Sequence, residues 1–264
     1  MIGAHDTYPW PWPFLRVAHR GAPTRAPGNS VRGFALAAAL GADMVETDVR
    51  LSADGALVLS HDDAVALPGL GRRPVSIARS PLAVLRAPAA GGEPLATLDE
   101  ALALRRHGAP LAFNLDLKVA GVGPSLARAL RAAGRRDGIL LTGYAAGAFT
   151  QVREAEPWVC AALTRSARAV PLPTRALVRA APASGGRLLA SRLVGEARAA
   201  GVGALALHHT LATPEVVRAC HHAGVRVLVW TVDDPVRMRA LRAAGVDGVT
   251  TNRVDLLCAL DPAL

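Results

Sequence analysis

The chain has 264 residues, 51% of them apolar, which is enough for a sizeable hydrophobic core, and no apolar run is long enough to cross a membrane. The formal charge of +9 favours anionic partners in general, but the arginines are scattered and not interleaved with aromatic residues, so we do not expect nucleic-acid binding. The N-terminus lacks the basic start and apolar stretch of a secretory signal, and the three cysteines are far apart; we therefore expect a cytoplasmic protein with free thiols and no stable membrane insertion.

Eight apolar, strand-like segments follow one another along the chain, and most of them precede a stretch with a helical pattern. Several helical stretches end in a glycine that leads directly into the next strand, and the last three of these junctions share the sequence Ala-Gly-Val. Eight such units predict a (β/α)₈ TIM barrel, with a doubly wound open sheet as the alternative. The predicted strands span residues 14–18, 44–51, 111–117, 139–142, 159–164, 204–207, 225–232 and 248–251.

The interval between the second and third predicted strands breaks this period. It is rich in proline and glycine and is predicted to form a small loop-rich insertion at residues 63–93, at the mouth of the barrel. No linker divides the chain, so residues 1–264 are predicted to form a single domain. A run in which aromatic residues alternate with proline, at residues 8–13, is predicted to cap the barrel.

The second predicted strand carries two acids, Glu46 and Asp48, within an apolar segment. Residues two apart on a strand point to the same face, so the two carboxylates would project side by side. Adjacent carboxylates repel each other unless a cation lies between them or one of them holds a proton. The pair therefore indicates a metal site, and the alternative is that both acids form salt bridges with barrel arginines.

Further polar residues stand where the strands of a barrel would end, which is where the active sites of such barrels lie. Asp116 and Lys118 are again two apart, on the third strand, and Asp116 supplies a third carboxylate. Three oxygen ligands without sulfur suit Mg²⁺ or Ca²⁺ better than Zn²⁺. His19 and His61 can exchange protons near neutral pH, while Arg20 and Lys118 can bind phosphate oxygens. Together these residues predict metal-assisted cleavage of a phosphoester.

Eight short motifs resemble the glycerophosphodiester phosphodiesterase family, in the family's order and spacing, over about residues 17–252. They are Ala-His-Arg-Gly at 18–21, Val-Glu-Thr-Asp-Val at 45–49, Asp-Gly at 54–55, His-Asp at 61–62, Leu-Asp-Glu-Ala-Leu at 98–102, Asn-Leu-Asp-Leu-Lys at 114–118, Trp-Thr-Val at 230–232 and Gly-Val-Asp-Gly-Val-Thr-Thr at 245–251. The resemblance implies a barrel enzyme that hydrolyses a small-molecule glycerophosphodiester to glycerol 3-phosphate and an alcohol, with one divalent cation, Mg²⁺ or Ca²⁺, as cofactor.

The resemblance also implies a role for each of eight residues by position. These roles are acid/base catalysis for His19 and His61, metal binding for Glu46, Asp48 and Asp116, phosphate binding for Arg20 and Lys118, and packing against the glycerol for Trp230. Which histidine acts as the acid and which as the base stays open, and so does the choice of metal.

The chain departs from the family's pattern at three places. Gly28 stands where the family's Pro-Glu-Asn-Thr motif has its glutamate, so a carboxylate near the site is missing. Asp116 is one methylene shorter than the glutamate usual at the third metal ligand. The family's Trp-Thr-Val-Asn ends here in Asp233, and its late Thr-Asp ends in Asn252. The first departure bears most directly on activity.

Two other functions remain open from the sequence. A phospholipase D-like enzyme of the same broader fold group would cleave lipid headgroups, and a non-catalytic barrel would bind phosphodiesters without hydrolysing them, which the glycine at position 28 permits. Two histidine pairs are weighed as metal ligands, but the pair at 221–222 is predicted to lie on a helix, with a surface or packing role. The pair at 208–209 ends the sixth predicted strand and is a candidate for lining the pocket. The alcohol headgroup and the oligomeric state stay undetermined.

Overall fold

A computed structural model describes residues 14–66, 74–86 and 93–260 of the chain. The strands are β1 (Leu15–His19), β2 (Met44–Leu51), β3 (Leu57–Leu59), β4 (Ala64–Val65), β5 (Val75–Ser76), β6 (Arg105–Arg106), β7 (Ala109–Pro110), β8 (Phe113–Leu117), β9 (Ile139–Gly143), β10 (Cys160–Arg165), β11 (Ala204–His208), β12 (Arg226–Trp230) and β13 (Gly248–Thr251). The helices are α1 (Val31–Ala39), α2 (Leu82–Leu85), α3 (Leu98–Leu102), α4 (Gly123–Ala132), α5 (Gly147–Ala155), α6 (Leu172–Ala180), α7 (Pro182–Ala199), α8 (Pro214–His222), α9 (Pro235–Ala243) and α10 (Val254–Ala259).

Eight parallel strands close into a barrel. Their order is β1-β13-β12-β11-β10-β9-β8-β2, and β2 pairs in turn with β1, so the sheet has no open edge in this ring. The short β3 adds to β2 in antiparallel register. This architecture confirms the predicted (β/α)₈ barrel and excludes the doubly wound sheet, because an open sheet would leave two edge strands unpaired. Each barrel strand overlaps one of the eight predicted segments.

Local sequence signals explain where several helices begin. Ser30, Thr97, Thr213 and Asp234 precede α1, α3, α8 and α9, and each side chain accepts a hydrogen bond from an N–H group of the first turn. Such caps satisfy donors that have no partner within the helix. The amphipathic helices that follow bury their apolar faces against the strands, so the main core lies between barrel and helices.

A second, smaller core fills the interior of the barrel. Gly248 lies beside it, because a Cβ at this position would come within 2.7 Å of side-chain atoms of both Leu15 and Leu228. The small residues leave room for the larger ones, so the interior is packed rather than hollow. The cluster consists of Leu15, Val17, Met44, Ala112, Leu140, Ala162, Ala204, Ala206 and Leu228.

Two aspartates hold neighbouring strands together at the N-terminal end of the barrel. The N–H of Asp43 donates to the carbonyl of Arg16, and its carboxylate accepts the N–H of Arg16 at 2.9 Å. Asp247 repeats this arrangement with Val227, whose N–H lies 2.7 Å from the carboxylate. Asp43 follows the junction Gly-Ala and Asp247 the junction Gly-Val. The same strand-to-strand contact therefore occurs twice, each time at an aspartate two residues after a glycine.

The segment between β2 and β8 contains short elements of its own. β4 and β5 pair in antiparallel register, and Ile77 and Leu85 pack with Val58 in a separate hydrophobic cluster. Parts of the predicted insertion, residues 67–73 and 87–92, lie outside the described residues, as does the predicted cap at residues 8–13. Within the described part of the chain, no helix is both long and apolar enough to span a membrane.

One predicted helix end is wrong. Gly108 precedes the third predicted strand and is one of the glycines that the sequence pattern predicts to end a helix, but α3 ends at Leu102 and a hairpin of β6 and β7 follows it. His107 and Gly108 form the turn of this hairpin with φ angles of 50° and 82°. Two consecutive residues with positive φ fit a two-residue hairpin loop, so the glycine serves a hairpin turn instead of a helix end.

Candidate active site

The three acids predicted to bind metal come together at the C-terminal end of the barrel. Glu46 and Asp48 lie on β2, and in the register with β8 they stand opposite Asn114 and Asp116. Carboxylate oxygens of Glu46, Asp48 and Asp116 all lie within 4.8 Å of one another. All three side chains are buried, Asp48 to within 1% exposure. The two-residue alternation of both strands therefore produces a single acidic cluster.

Lys118 and Arg20 neutralise part of this cluster. The Lys118 ammonium bonds the carboxylate of Asp116 and lies 2.8 Å from Oδ1 of Asp48, outside hydrogen-bonding geometry. Nε of Arg20 lies 3.1 Å from the other oxygen of Asp48. Burial acts to raise the pKa of Asp48, but Lys118, a hydrogen bond from Asn29 and Arg20 together outweigh it and hold that pKa below its ordinary range.

The same two aspartates act on Lys118. Burial alone would lower the pKa of the ammonium, but the carboxylates of Asp116 and Asp48 raise it above its ordinary value. Lys118 is therefore charged at neutral pH and stays in the cluster as a cation. Because it contacts both aspartates, it also fixes the distance between β2 and β8 at their C-terminal ends.

Glu46 is the acid that these cations do not compensate. Its carboxylate accepts the main-chain N–H of Arg20 at 2.9 Å, and Nε2 of His19 is 3.9 Å away. Among the described residues it has no lysine or arginine ion-pair partner. Burial, followed by repulsion from Asp48, raises the pKa of Glu46 well above its ordinary value. The cluster thus carries one negative charge that needs a proton or a cation.

The turn after β1 brings Arg20 over the acids. Arg20 has a φ of 54° and Gly21 a φ of 89°, both in the left-handed region. A Cβ on Gly21 would lie 2.7 Å from the carbonyl carbon of Gly33, so only glycine fits here. The main-chain N–H of Asn29 donates to the carbonyl of Arg20 at 3.0 Å and holds the turn. The His-Arg-Gly motif is therefore needed for the backbone conformation of this turn as well as for the side chains that it supplies.

Asn29 is a site residue that the sequence reading missed. It is buried, its Nδ2 donates to Oδ2 of Asp48 at 2.8 Å, and its Oδ1 accepts the hydroxyl of Thr47 at 2.8 Å. Thr142 plays a similar part on β9, where its hydroxyl lies 2.9 Å from Oδ1 of Asn114 and 3.0 Å from Oδ1 of Asp116. Both residues orient the carboxylates without carrying charge themselves.

The two candidate acid/base histidines line the same cavity. His19 is largely buried, and its Nδ1 lies 2.7 Å from Oδ1 of Asn252. Burial lowers the pKa of His19, although the contact with Asn252 opposes this. His61 is half-exposed and its Nδ1 contacts Asp62 at 2.8 Å. Arg50 holds the main chain here by donating to the carbonyl of His61 at 2.6 Å.

An aromatic wall forms the opposite side of the cavity. Nε1 of Trp230 donates to the carbonyl of Ala206 at 3.0 Å, which fixes the indole ring at the end of β12. His208 packs edge-on against it, with ring centroids 5.4 Å apart. Tyr144, which the sequence reading also missed, follows β9 and lines the same cavity with much of its side chain exposed. The cavity thus joins a charged side to an amphipathic aromatic side.

The second histidine pair lies away from the site. Nε2 of His221 is 2.8 Å from Oδ2 of Asp247, the aspartate that joins β12 and β13 at the N-terminal end of the barrel. His222 is exposed at the end of α8. The three cysteines, Cys160, Cys220 and Cys258, form no disulfide bond. The thiol of Cys220 is buried, which raises its pKa to about 11 and leaves it protonated at neutral pH.

The chain is similar to known proteins over most of its length. Residues 19–256 match the family model described as the glycerophosphoryl diester phosphodiesterase family. A Mycobacterium tuberculosis protein named "Probable glycerophosphodiester phosphodiesterase 2" is 30% identical over 244 residues, which cover 92% of this chain and 89% of that protein. A glycerophosphodiester phosphodiesterase of Caldanaerobacter subterraneus is 26% identical, covering 93% of this chain and 97% of its own length.

A solved structure shares the fold. An Oleispira antarctica phosphodiesterase, solved in complex with the product sn-glycerol-3-phosphate, superposes with a TM-score of 0.76 at 23% identity, covering 94% of this chain and 96% of that one. The likeness supports the barrel assignment, while the family model and the curated relatives extend over nearly the whole chain. The chain therefore belongs to the glycerophosphoryl diester phosphodiesterase family.

Proposed function

We propose that this protein hydrolyses glycerophosphodiesters to glycerol 3-phosphate and an alcohol, with a divalent cation held by Glu46, Asp48 and Asp116. The observation that carries the proposal is the uncompensated charge of the acidic cluster. Three buried carboxylates face one another, and the cations Lys118 and Arg20 pair with Asp48 and Asp116 but leave Glu46 without a cationic partner of this kind among the described residues.

The donor set fits a hard cation. Carboxylate oxygens are the ligands that Mg²⁺ and Ca²⁺ prefer, and oxygens of Glu46, Asp48 and Asp116 lie within 4.8 Å of one another. A divalent cation bound there would polarise a phosphoryl oxygen and offset negative charge in the transition state. The choice between Mg²⁺ and Ca²⁺ depends on coordination number and stays part of the proposal.

The remaining residues supply binding and proton transfer. Arg20 and Lys118 bind non-bridging phosphate oxygens through their N–H donors. Trp230 presents an apolar ring face suited to the carbon skeleton of the glycerol. One of His19 and His61 takes a proton from the attacking water, and the other gives a proton to the oxygen of the leaving alcohol, so that the reaction consumes one water and leaves the protein unchanged.

Product analysis tests this proposal. Purified protein is incubated with glycerophosphocholine, and separately with lysophosphatidylcholine, in the presence of Mg²⁺ or Ca²⁺. Formation of glycerol 3-phosphate from the first substrate is the expected result. A cyclic phosphate or headgroup release from the lysolipid would instead identify a phospholipase D-like enzyme. Binding without turnover would identify a non-catalytic barrel.

Metal removal tests the cofactor separately. Excess EDTA is expected to abolish turnover, and Asp48→Asn to reduce it to a similar degree, because both remove a ligand bond at the centre of the cluster. Asp99→Asn, an exposed acid in the first turn of α3, is the matched control and should leave the rate unchanged. Undiminished turnover in EDTA would contradict the metal assignment. The cytoplasmic location stays a prediction, which cell fractionation would test.

A further inference from the structure

Two loops at the C-terminal end of the barrel are joined by an aspartate and an asparagine. Asp233 lies in the loop after β12, and Asn252 directly follows β13. Oδ1 of Asp233 accepts the main-chain N–H of Asn252 at 2.8 Å and the hydroxyl of Thr251 at 3.0 Å. Its Oδ2 accepts Nδ2 of Asn252 at 2.7 Å. Both carboxylate oxygens are thus used to hold the loop that carries Asn252.

This arrangement fixes the orientation of the Asn252 amide. An ionised carboxylate can only accept hydrogen bonds, so the NH₂ group of Asn252 must face Asp233. The amide oxygen then faces His19, 2.7 Å from Nδ1. Since that oxygen can only accept, Nδ1 of His19 carries the hydrogen.

The consequence for His19 lies on the other side of its ring. A neutral imidazole with hydrogen on Nδ1 has a lone pair on Nε2. Nε2 points to the acidic cluster, 3.9 Å from Glu46, and the ring lines the cavity. The nitrogen that faces the reacting groups is therefore an acceptor in the neutral ring.

We propose that Asn252 and Asp233 are positioning residues that hold His19 as its Nδ1–H tautomer, with Nε2 directed into the cavity as a proton acceptor. The inference rests on the proposed function and adds to it a direction of proton transfer at His19. The amide gives His19 a hydrogen-bond acceptor without placing a full negative charge next to the ring. The negative charge lies on Asp233, which accepts a hydrogen bond from the NH₂ group of Asn252.

The side chains of Asp233 and Asn252 contact each other, so the pair combines one carboxylate and one amide. A pair of this kind can be exchanged as a unit. Exchanging either member alone places two carboxylates or two amides face to face.

Nitrogen-15 NMR of histidine-labelled protein reads the tautomer directly. The spectrum is recorded at about pH 8, where an imidazole of ordinary pKa is neutral, and His19→Gln identifies the His19 signals. In the wild type we expect His19 as the Nδ1–H tautomer. In Asn252→Ala we expect a mixture of the two tautomers, while the signals of the other histidines, such as His221, stay in place as an internal control.

Kinetics on glycerophosphocholine provide a second readout. Loss of the positioning bond in Asn252→Ala should lower kcat by about 10- to 100-fold, the scale of groups that orient a functional side chain. KM should change by less than about 3-fold, because the interaction acts on proton transfer and not on substrate binding.

The exchanged pair separates positioning from simple structural damage. Asn252→Asp alone sets two carboxylates against each other and should lose activity as Asn252→Ala does. The double variant Asp233→Asn with Asn252→Asp restores a carboxylate–amide contact and an acceptor for Nδ1, and should recover kcat to within about 5-fold of the wild type. Thermal melting checks that each variant is folded.

Three results would overturn the inference. One is an Asn252→Ala protein that keeps the pure Nδ1–H tautomer of His19, another is an Asn252→Ala protein with wild-type kcat, and the third is a double variant no better than Asn252→Asp. If the wild type shows no turnover at all, the proposed function fails, but the NMR measurement still decides whether Asn252 and Asp233 set the tautomer.

Discussion

His19 and His61 occupy different surroundings although they line one cavity. His19 is held by Asn252 and lies near Glu46, whereas His61 is half-exposed and contacts Asp62. We expect His19→Ala and His61→Ala each to reduce turnover of glycerophosphocholine by at least about 10²-fold, the usual effect of losing a general acid or base. His222→Ala, at an exposed position on α8, is the control. Activity near the wild-type level in either variant would remove that histidine from the mechanism.

Gly28 lies beside the aliphatic part of the Arg20 side chain, whose guanidinium reaches the acids. Its φ is not in the left-handed region, and a Cβ there would lie 3.5 Å from Cβ of Arg20, an ordinary van der Waals contact. A side chain is therefore tolerated, and a carboxylate at this position can restrain Arg20. We expect Gly28→Glu to need less divalent metal for half-maximal activity than the wild type, by up to about 10-fold.

Metal titrations of Gly28→Glu and Gly28→Gln, each paired with a melting temperature, check this expectation. The glutamine variant has nearly the same shape without the charge, so it should behave like the wild type. A normally folded Gly28→Glu protein with an unchanged or greater metal requirement would show that the absent carboxylate is not what limits metal binding.

Some site residues can be predicted from a pattern within one short segment, and others cannot because their partners are distant in the sequence. Glu46 and Asp48 are two apart on one strand, so strand geometry alone places them together. Asn29 and Asn252 reach the site from loops. Asn29 contacts Asp48, which is 19 positions away in the sequence, and Asn252 contacts His19, which is 233 positions away. An isolated asparagine carries no periodic pattern, and the only signal was its place within or next to a family motif.

β12 and β13 are joined at their N-terminal ends by the carboxylate of Asp247. It accepts the N–H of Val227 at 2.7 Å, Arg226 at 2.9 Å and His221 at 2.8 Å. Asp247→Ala would leave the buried N–H of Val227 without this partner, which costs about 1–3 kcal/mol. We expect chemical denaturation to show a loss of this size, with kcat unchanged because the residue lies at the end opposite the site.

Glu154→Ala provides the control. Glu154 lies on α5 with an exposed side chain, so the free energy of unfolding should change by less than about 0.5 kcal/mol. Equal losses in the two variants would mean that the contact with Val227 contributes nothing specific to the joining of the strands.

The eight barrel strands were predictable because each is a mostly apolar, buried run and most of them precede a stretch with a helical pattern. The hairpin of β6 and β7 was not, because each strand has two residues and the sequence offers no alternation to recognise. The glycine at its turn gave the same signal as a glycine that ends a helix, and only the neighbouring His107 with positive φ distinguishes them. The assignment of residues 1–264 to one domain stays a prediction.

Charge is distributed unevenly between the site and the remainder of the protein. The chain carries 30 basic and 21 acidic residues, yet three of the acids lie buried together beneath the cavity. Several arginines are paired with acids at the surface, as Arg16 is with Asp43 and Arg165 with Glu196. Lys118 and Arg20 contact the acidic cluster, and the remaining basic residues give the chain its net charge of +9. A net positive charge attracts anions to the protein over a long range.

The net positive charge predicts that added salt lowers kcat/KM more for an anionic substrate than for a net-neutral one. Glycerophosphoglycerol carries one net negative charge, whereas glycerophosphocholine is zwitterionic with none. Attraction between exposed charges is screened over about 10 Å at about 0.1 M salt. Between about 20 mM and about 300 mM NaCl, at a fixed saturating concentration of the divalent cation, kcat/KM for glycerophosphoglycerol should fall by at least about 5-fold. For glycerophosphocholine the fall should stay below about 2-fold, since a net-neutral substrate gains little from a long-range field. Equal declines for the two substrates would mean that salt acts on the protein or on its metal, and that the net charge of +9 does not guide the substrate.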